Sequence, residues 1–146
     1  MTINKKNIVI TGAEGFIGSK LKKGFGKERV SVLDRNKHSL FDVQSLRNIL
    51  EGSDIIYHLA GVNAGSGYTP SSMDLKKNNV FSTYNLLEAI KRYCSKPPLF
   101  ILMSSIHIYD KDSRIFYEND KPYPTGIYGL SKLSQEILIK NASELG

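Results

Sequence analysis

The chain has 146 residues, enough for one domain with a buried core, and its 40% hydrophobic and 23% charged residues are ordinary for a globular protein. The formal net charge of +6 comes from basic residues scattered along the chain without an arginine-rich block. Solvated helix faces account for this charge, so we expect no nucleic-acid partner. No apolar run approaches the roughly 18–20 residues that cross a bilayer, and the single cysteine, Cys94, can form no internal disulfide. We therefore expect a cytoplasmic protein without a membrane partner.

Short β-rich runs alternate with helical runs along the chain. Apolar runs predict strands over residues 7–11, 29–34, 38–41, 54–59 and 99–104. Apolar residues at helical spacing predict helices beginning near residue 16, following Asp42, over about residues 74–93 and over about residues 126–145. This alternation predicts an α/β fold in one domain, residues 1–146, built on a Rossmann-like, doubly wound parallel sheet of about five strands.

Two of these helices carry more specific expectations. Asp42 is expected to cap the N-terminus of its helix, which Gly52 ends. The buried stripe of the helix over residues 74–93 is expected to consist of Val80, Tyr84, Leu87 and Ile90.

Three glycines lie between the first predicted strand and the first predicted helix, in the stretch VITGAEGFIGSKL. Gly12 suits a tight turn, Gly15 allows the backbone to approach a pyrophosphate, and Gly18 allows the helix to pack closely on the strand. The helix opening at Phe16 and Ile17 would offer unpaired N–H groups to the phosphates. The spacing has one residue more than the usual G-x-G-x-x-G pattern.

Asp34 ends the second predicted strand, 22 residues after Gly12. A carboxylate at this place accepts hydrogen bonds from the adenosine ribose hydroxyls and repels a 2′-phosphate. We therefore expect NAD as the cofactor, with NADP the less favoured alternative that the neighbouring Arg35 keeps open.

Six motifs, in order, resemble the extended short-chain dehydrogenase/reductase family, in its NAD-dependent epimerase/dehydratase group acting on nucleotide sugars. They are TGAEGFIGS, the pair Asp42-Val43, HLAG (58–61), NNVFSTYNLLEA (78–89), MSSIHIYD (103–110) and YGLSK (128–132). The resemblance implies that Asp42 and Val43 meet the adenine, and that Leu59, Ala60, Gly61 and Asn79 line the cofactor. Ser82 replaces a glycine of the family pattern.

Tyr128 and Lys132, four residues apart on a predicted helix, share one helix face. A phenol is a poor base at neutral pH, but a nearby ammonium stabilises the phenolate, so that Tyr128 could exchange a proton with a sugar hydroxyl. The resemblance implies that Lys132 also holds the nicotinamide ribose and that Ser105 is the catalytic serine, which orients the reacting oxygen. Taken alone, a Tyr-x-x-x-Lys spacing occurs by chance on many helices.

Two departures from the family pattern narrow the expected reaction. Ile106 and His107 stand where the sugar 4,6-dehydratases of the family have an Asp-Glu pair, which disfavours dehydration. Asp110 stands where a glycine is common. The expected activity is therefore epimerisation or ketoreduction of a nucleotide sugar, with a UDP-sugar favoured and no metal. The alternatives are a non-catalytic NAD(P)-binding module or half of a split protein.

The resemblance stops where the second half of the family's chain would begin. We expect the further sheet strands and the sugar-binding segment to be missing. We also expect the chain either to form a homo-oligomer or to require a missing C-terminal half, because an apolar edge strand promotes pairing with another chain.

Overall fold

The structure is a computed structural model and describes residues 6–26, 29–63, 68–109 and 115–144. These residues form two compact units. The first holds the described residues up to Ala60 together with Asn85–Met103, and the second holds those of Gly61–Tyr84 and those from Ser104 onward. The helices are α1 (Phe16–Phe25), α2 (Arg47–Leu50), α3 (Ser72–Leu75), α4 (Ser82–Tyr93) and α5 (Ile127–Glu144).

A parallel sheet lies at the centre of the first unit. Its strands are β1 (Ile8–Thr11), β2 (Val30–Val32), β3 (Ile55–His58) and β4 (Leu99–Leu102), in the order β2-β1-β3-β4. Ile8 lies opposite Val30 on one side and Ile55 on the other, and Ile55 lies opposite Leu99. The predicted α/β fold with a parallel sheet is confirmed.

Residues 38–41, predicted as a short strand, form turns, so the sheet of the described residues has four strands rather than about five. The His38 N–H donates to the Asp34 carbonyl oxygen, 2.8 Å away. The Ser39 N–H donates to the Ser45 hydroxyl at 2.8 Å. Because local partners hold these N–H groups, they are not available to a strand ladder.

Alternation along β1 gives each side of the sheet an apolar surface. Ile8 and Ile10 pack with Leu21 and Phe25 of α1 on one side. On the other side, Val9 belongs to a second cluster, which also contains Ile56 and buried residues of the helical segments that cover this face: Leu46, Leu50, Leu86 and Ala89. Helices on both faces make the sheet doubly wound.

In the second unit, α3, a π-helical segment (Lys76–Phe81) and the start of α4 follow one another without a break. Ser71 caps α3 through a reciprocal pair of hydrogen bonds with Asp74. In the π-helical segment the turns are wider than in an α-helix, and the Ser82 N–H reaches the carbonyl oxygen of Lys77, five residues earlier.

The predicted buried stripe of this helical stretch is wrong at Tyr84, which is 46% exposed. The buried face carries Leu86 and Ala89 together with the polar residues Ser82 and Thr83. The polar residues can be buried because their hydroxyls donate to the Asn79 carbonyl oxygen, one turn earlier. The other three predicted positions, Val80, Leu87 and Ile90, are partly buried, so the apolar periodicity identified the helix but missed the polar residues on its buried side.

The second unit also contains a 3-10 turn (Ile106–Ile108) and α5, which packs against this turn, α3 and the π-helical segment. α5 is described from Ile127 to Glu144, close to the prediction of residues 126–145. The predicted end of the helix at residue 145 and the loop position Asp110 lie outside the described residues.

Candidate active site

In the first unit, the turn between β1 and α1 comes close to the segment that follows β3. Gly12 has φ +69°, and a Cβ atom added there would stand 2.7 Å from the Ala60 nitrogen and 2.8 Å from the Leu59 carbonyl carbon. A Cβ atom at Gly18 would overlap the Gly12 carbonyl oxygen. Both the backbone conformation and the close approach therefore require glycine at position 12, and helix packing requires it at position 18.

The N-terminus of α1 opens from this turn. Gly15 precedes the helix with extended backbone, and no side chain among the described residues caps the helix there. The side chains of Phe16 and Ile17 are 84% and 41% exposed. The N–H groups of the first turn of such a helix carry partial positive charge and suit phosphate oxygens.

Thr11 ties the carboxyl ends of β1 and β3 together. Its Oγ1 accepts the N–H groups of Leu59 at 3.2 Å and Ala60 at 3.0 Å, and lies 2.7 Å from Nδ1 of His58. His58 is 1% exposed, so the Thr11 hydroxyl links a buried ring to the backbone of Leu59 and Ala60, the segment predicted to line the cofactor.

Asp34 is half-buried just after β2, and its Oδ1 accepts the Asn36 N–H at 2.9 Å. Arg35, beside it, is exposed. This short turn fixes the Asp34 carboxylate at the carboxyl end of its strand, where open α/β sheets bind their ligands. Its predicted contact with a ribose stays a prediction.

The pair Asp42-Val43 leads into the 3-10 turn before α2. The Asp42 carboxylate is exposed and its Oδ1 accepts the Gln44 N–H at 3.0 Å, so it stabilises the start of this helical segment. Val43 packs against the cluster that contains Val9. Contact of this pair with an adenine is likewise a prediction.

Asn79, in the π-helical segment, is fully buried at the centre of the second unit. Its side-chain amide accepts the Val62 N–H at 2.8 Å and donates to the Val62 carbonyl oxygen at 3.1 Å and to the Ser131 hydroxyl at 3.0 Å. Asn79 therefore fixes the loop that follows Gly61 and the middle of α5. The predicted position of Asn79 beside the cofactor stays a prediction.

Ser105 and Tyr128 lie on two elements that pack together. Ser105 caps the 3-10 turn, with its Oγ accepting the His107 N–H at 3.2 Å. The His107 ring meets the half-buried Tyr128 ring edge-on, with 5.6 Å between centroids. A Cβ atom on Gly129 would overlap the His107 carbonyl oxygen, so the glycine that follows Tyr128 allows the turn carrying Ser105 to approach α5.

Lys132 lies one helical turn after Tyr128 and is only 7% exposed. Burial away from water lowers the pKa of its ammonium from 10.5 to about 8, and the negative charge of Glu136 opposes part of this fall. A buried lysine is unusual, because burial of a cation is unfavourable unless it is compensated. Lysines with a perturbed pKa cluster at functional sites, and the predicted roles of Lys132 stay predictions.

Three contributors to these arrangements were not predicted as site residues: Thr11, Ser131 and Gly129. Ser131 receives the Asn79 amide and donates to the Tyr128 carbonyl oxygen at 2.7 Å. A signal was present for two of them, since Gly129 and Ser131 lie inside the Tyr-x-x-x-Lys stretch on the side of α5 that is buried. Thr11 begins the TGAEGFIGS motif, but its role could not be predicted because its partners lie at the end of β3 and just after it.

No helix in the described part of the chain is long and apolar enough to cross a membrane. Within the same residues, no group of three or more His, Cys, Asp and Glu side chains could hold a metal ion.

A parallel sheet with a glycine turn leading from β1 into a helix defines an α/β protein of the Rossmann-like class. The comparison with protein families then identifies the group within that class. Residues 8–146 match the NAD dependent epimerase/dehydratase family. The chain belongs to this family.

Characterised relatives and solved structures agree with the assignment. The chain is 30% identical to a trifunctional UDP-glucose 4,6-dehydratase/UDP-4-keto-6-deoxy-D-glucose 3,5-epimerase/UDP-4-keto-L-rhamnose-reductase of Arabidopsis thaliana, over 92% of this chain and 24% of that protein. It is 28% identical to GDP-mannose 3,5-epimerase 1 of Oryza sativa subsp. japonica, over 94% of this chain and 42% of that protein. UDP-glucuronic acid 4-epimerase from Bacillus cereus, solved in complex with NAD, superposes with a TM-score of 0.74 at 27% identity, over 94% of this chain and 52% of that one. The chain thus spans about a quarter to about half the length of these proteins.

Proposed function

We propose that this chain supplies the NAD-binding and acid/base residues of an enzyme that epimerises or reduces the sugar of a nucleotide sugar, with a UDP-sugar favoured. The observation that carries the proposal is the burial of Lys132 one turn after Tyr128 on α5. Family membership supports it, and so does the relative from Bacillus cereus, whose structure holds NAD. A module that only binds NAD would not need a buried lysine beside this tyrosine.

The residues of the first unit fit a dinucleotide. The turn at Gly12 has no room for a side chain, the N-terminus of α1 is open, and the Asp34 carboxylate lies at the end of β2. We propose that the N–H groups at Phe16 and Ile17 bind the pyrophosphate, and that Asp34 binds the ribose hydroxyls. NAD, when bound, supplies the carbon that accepts and returns a hydride.

The second unit would supply the acid/base groups. In the proposed reaction Tyr128 removes the proton of a sugar hydroxyl, and the ammonium of Lys132 stabilises the phenolate that this transfer requires. The Ser105 hydroxyl donates a hydrogen bond to the reacting oxygen and orients it. In an epimerase Tyr128 would return the proton after the sugar has rotated to present its opposite face. In a reductase it would donate the proton to the oxygen of a ketone.

Cofactor choice tests the first part of this proposal. Asp34→Ala should weaken NAD binding and reduce the preference for NAD over NADP, because the carboxylate both binds ribose hydroxyls and repels a 2′-phosphate. Isothermal titration of the 146-residue chain with each dinucleotide measures both effects. Glu51→Ala, which removes an exposed carboxylate just after α2, is the matched control and should change neither. An unmodified chain that prefers NADP would contradict the role of Asp34.

Association with a second copy of the chain also stays a prediction. β4 is an edge strand of the described sheet. Leu99, its first residue, is 59% exposed, and Met103, which follows its last residue, is 41% exposed. An open apolar edge favours strand pairing between chains. Sedimentation analysis at micromolar concentration would test this, and a stable monomer would contradict it.

A cytoplasmic location is proposed on the single, unpaired Cys94.

A further inference from the structure

A hydrogen bond in the second unit joins the residue before Ser105 to the helix that carries Tyr128 and Lys132. The Ser104 hydroxyl donates to Oε1 of Glu136, and both side chains are partly buried. Ser104 follows the end of β4 by two residues, and Glu136 lies on α5 one turn beyond Lys132. A carboxylate has two oxygens and about four lone pairs, so it can hold a hydroxyl and face a cation at the same time.

Glu136 also lies one helical turn from the buried Lys132 on α5. The elements packed against α5 carry other titratable residues, namely Asp74 in α3, Lys76 and Lys77 in the π-helical segment, and His107 in the 3-10 turn. The Asp74 carboxylate is engaged by Ser71. Of all these charges, the negative charge of Glu136 is the one that raises the pKa of Lys132, against the burial that lowers it.

Helix stability alone does not account for this pair. Lys132 precedes Glu136 by four residues, and on an isolated helix this order of charges is less favourable than the reverse. Two other pairs have the same spacing, Arg92 with Glu88 at 3.6 Å and Lys140 with Glu144 at 4.0 Å, and both basic side chains are exposed. Lys132 and Glu136 differ because here the lysine is buried.

We propose that Glu136 is a positioning residue. Its hydrogen bond ties the Ser104-Ser105 segment to the helix that carries Tyr128, and its carboxylate, one helical turn from the buried Lys132, favours the ammonium form of that lysine. This inference rests on the proposed function, in which Lys132 and Ser105 act together with Tyr128. Glu136 does not contact the substrate in this proposal. Its negative charge acts on the charge of Lys132. Its hydrogen bond to Ser104 acts on the position of the neighbouring Ser105.

The test is a titration of Lys132 in the 146-residue chain. Lysine labelled with ¹³C at Cε gives one NMR signal per lysine, and Lys132→Met identifies the signal of Lys132 by its loss. Glu136→Gln keeps an oxygen that accepts from Ser104 but removes the charge. We expect the midpoint of the Lys132 titration to fall by about half a pH unit or more in this variant, because an opposite charge nearby favours the charged form. An unchanged midpoint would overturn the proposal.

Ser104→Ala is the matched variant, since it removes the hydrogen bond and leaves the Glu136 charge. We expect the Lys132 midpoint to stay within about 0.2 pH unit of the unmodified chain, because the carboxylate remains on the same helix one turn away. If the midpoint falls as far in Ser104→Ala as in Glu136→Gln, packing rather than charge sets the pKa of Lys132. That result would overturn the charge role of Glu136.

The tie to Ser105 has its own readout. Amide signals of residues 105–108 should move in Ser104→Ala and stay near their positions in Glu136→Gln, because only the first variant breaks the hydrogen bond. Signals that do not move in Ser104→Ala would overturn the tie. All of these measurements are made without dinucleotide, so they decide the role of Glu136 even if titration with NAD shows no binding and the proposed function fails.

Discussion

Replacing Lys132 by methionine should make the folded chain more stable at neutral pH. Lys132 is 7% exposed, and burial lowers the pKa of its ammonium from 10.5 to about 8. Each tenfold change in acidity corresponds to about 1.4 kcal/mol. Transfer of Lys132 from the unfolded to the folded chain is therefore less favourable for its charged form than for its neutral form by about 3 kcal/mol. Methionine keeps an unbranched apolar side chain at the position and removes the buried charge.

We expect Lys132→Met to raise the free energy of unfolding by about 1–3 kcal/mol at pH 7, since the variant also loses the attraction between Lys132 and Glu136. Urea unfolding followed by circular dichroism measures the change. Lys140→Met, on the same helix but with its side chain 76% exposed, is the matched control and should change stability by less than about 0.5 kcal/mol.

The dependence on pH makes this prediction specific. Between about pH 8 and 10.5 the unfolded chain holds a proton that folded Lys132 has released, so the free energy of unfolding of the unmodified chain rises with pH in this window. The advantage of Lys132→Met should therefore be full below pH 8 and should shrink as the pH approaches 10.5. A variant no more stable than the unmodified chain at pH 7, or an advantage that stays constant to pH 10, would refute the reasoning.

Three further substitutions test the site. Gly129→Ala should destabilise the fold by about 1–3 kcal/mol in urea unfolding, because the new methyl group meets the His107 carbonyl oxygen, whereas Gly24→Ala in α1, where a Cβ atom meets nothing within 4 Å, should not destabilise it. Asn79→Ala should cost about 2–3 kcal/mol in the same assay, because the Val62 backbone groups lose their buried partner; an unchanged midpoint would contradict its supporting role. Tyr128→Phe, in the complete protein, should lower turnover of a UDP-sugar about 10²–10⁴-fold with NAD affinity kept, and turnover at the original rate would make this tyrosine structural.

The strands of the central sheet could be predicted because their sequences are short apolar runs between glycines, prolines and polar turns. The run IVIT at Ile8–Thr11 is buried at every position, as an interior parallel strand requires. The stretch at residues 38–41 looked similar in composition, but Ser39 and Ser45 supply local hydrogen bonds that compete with a ladder. Competition of this kind depends on where the Ser45 side chain lies relative to the Ser39 backbone, and the strand propensity of single residues does not contain that information.

In the candidate site, too, some features could be predicted from the sequence and others could not. The spacing of Tyr128 and Lys132 follows from helical periodicity and could be predicted from the sequence alone. The burial of Lys132 could not, because it depends on the segments that pack over α5. Nor could the bond between Ser104 and Glu136, whose partners lie 32 residues apart and come together only in the folded second unit.

The π-helical segment Lys76–Phe81 implies that this stretch tolerates the loss of one residue better than an ordinary helix would. A turn closed five residues back contains one residue more than a turn closed four back, so the segment holds a surplus residue between α3 and the start of α4. Shortening it by one residue should restore α-helical winding while the flanking turns keep their phase. Asn79 would then rotate by about 100° and release Val62 and Ser131. Deletion of a single codon here should thus leave the chain folded while the loop after Gly61 loses its hydrogen bonds to Asn79.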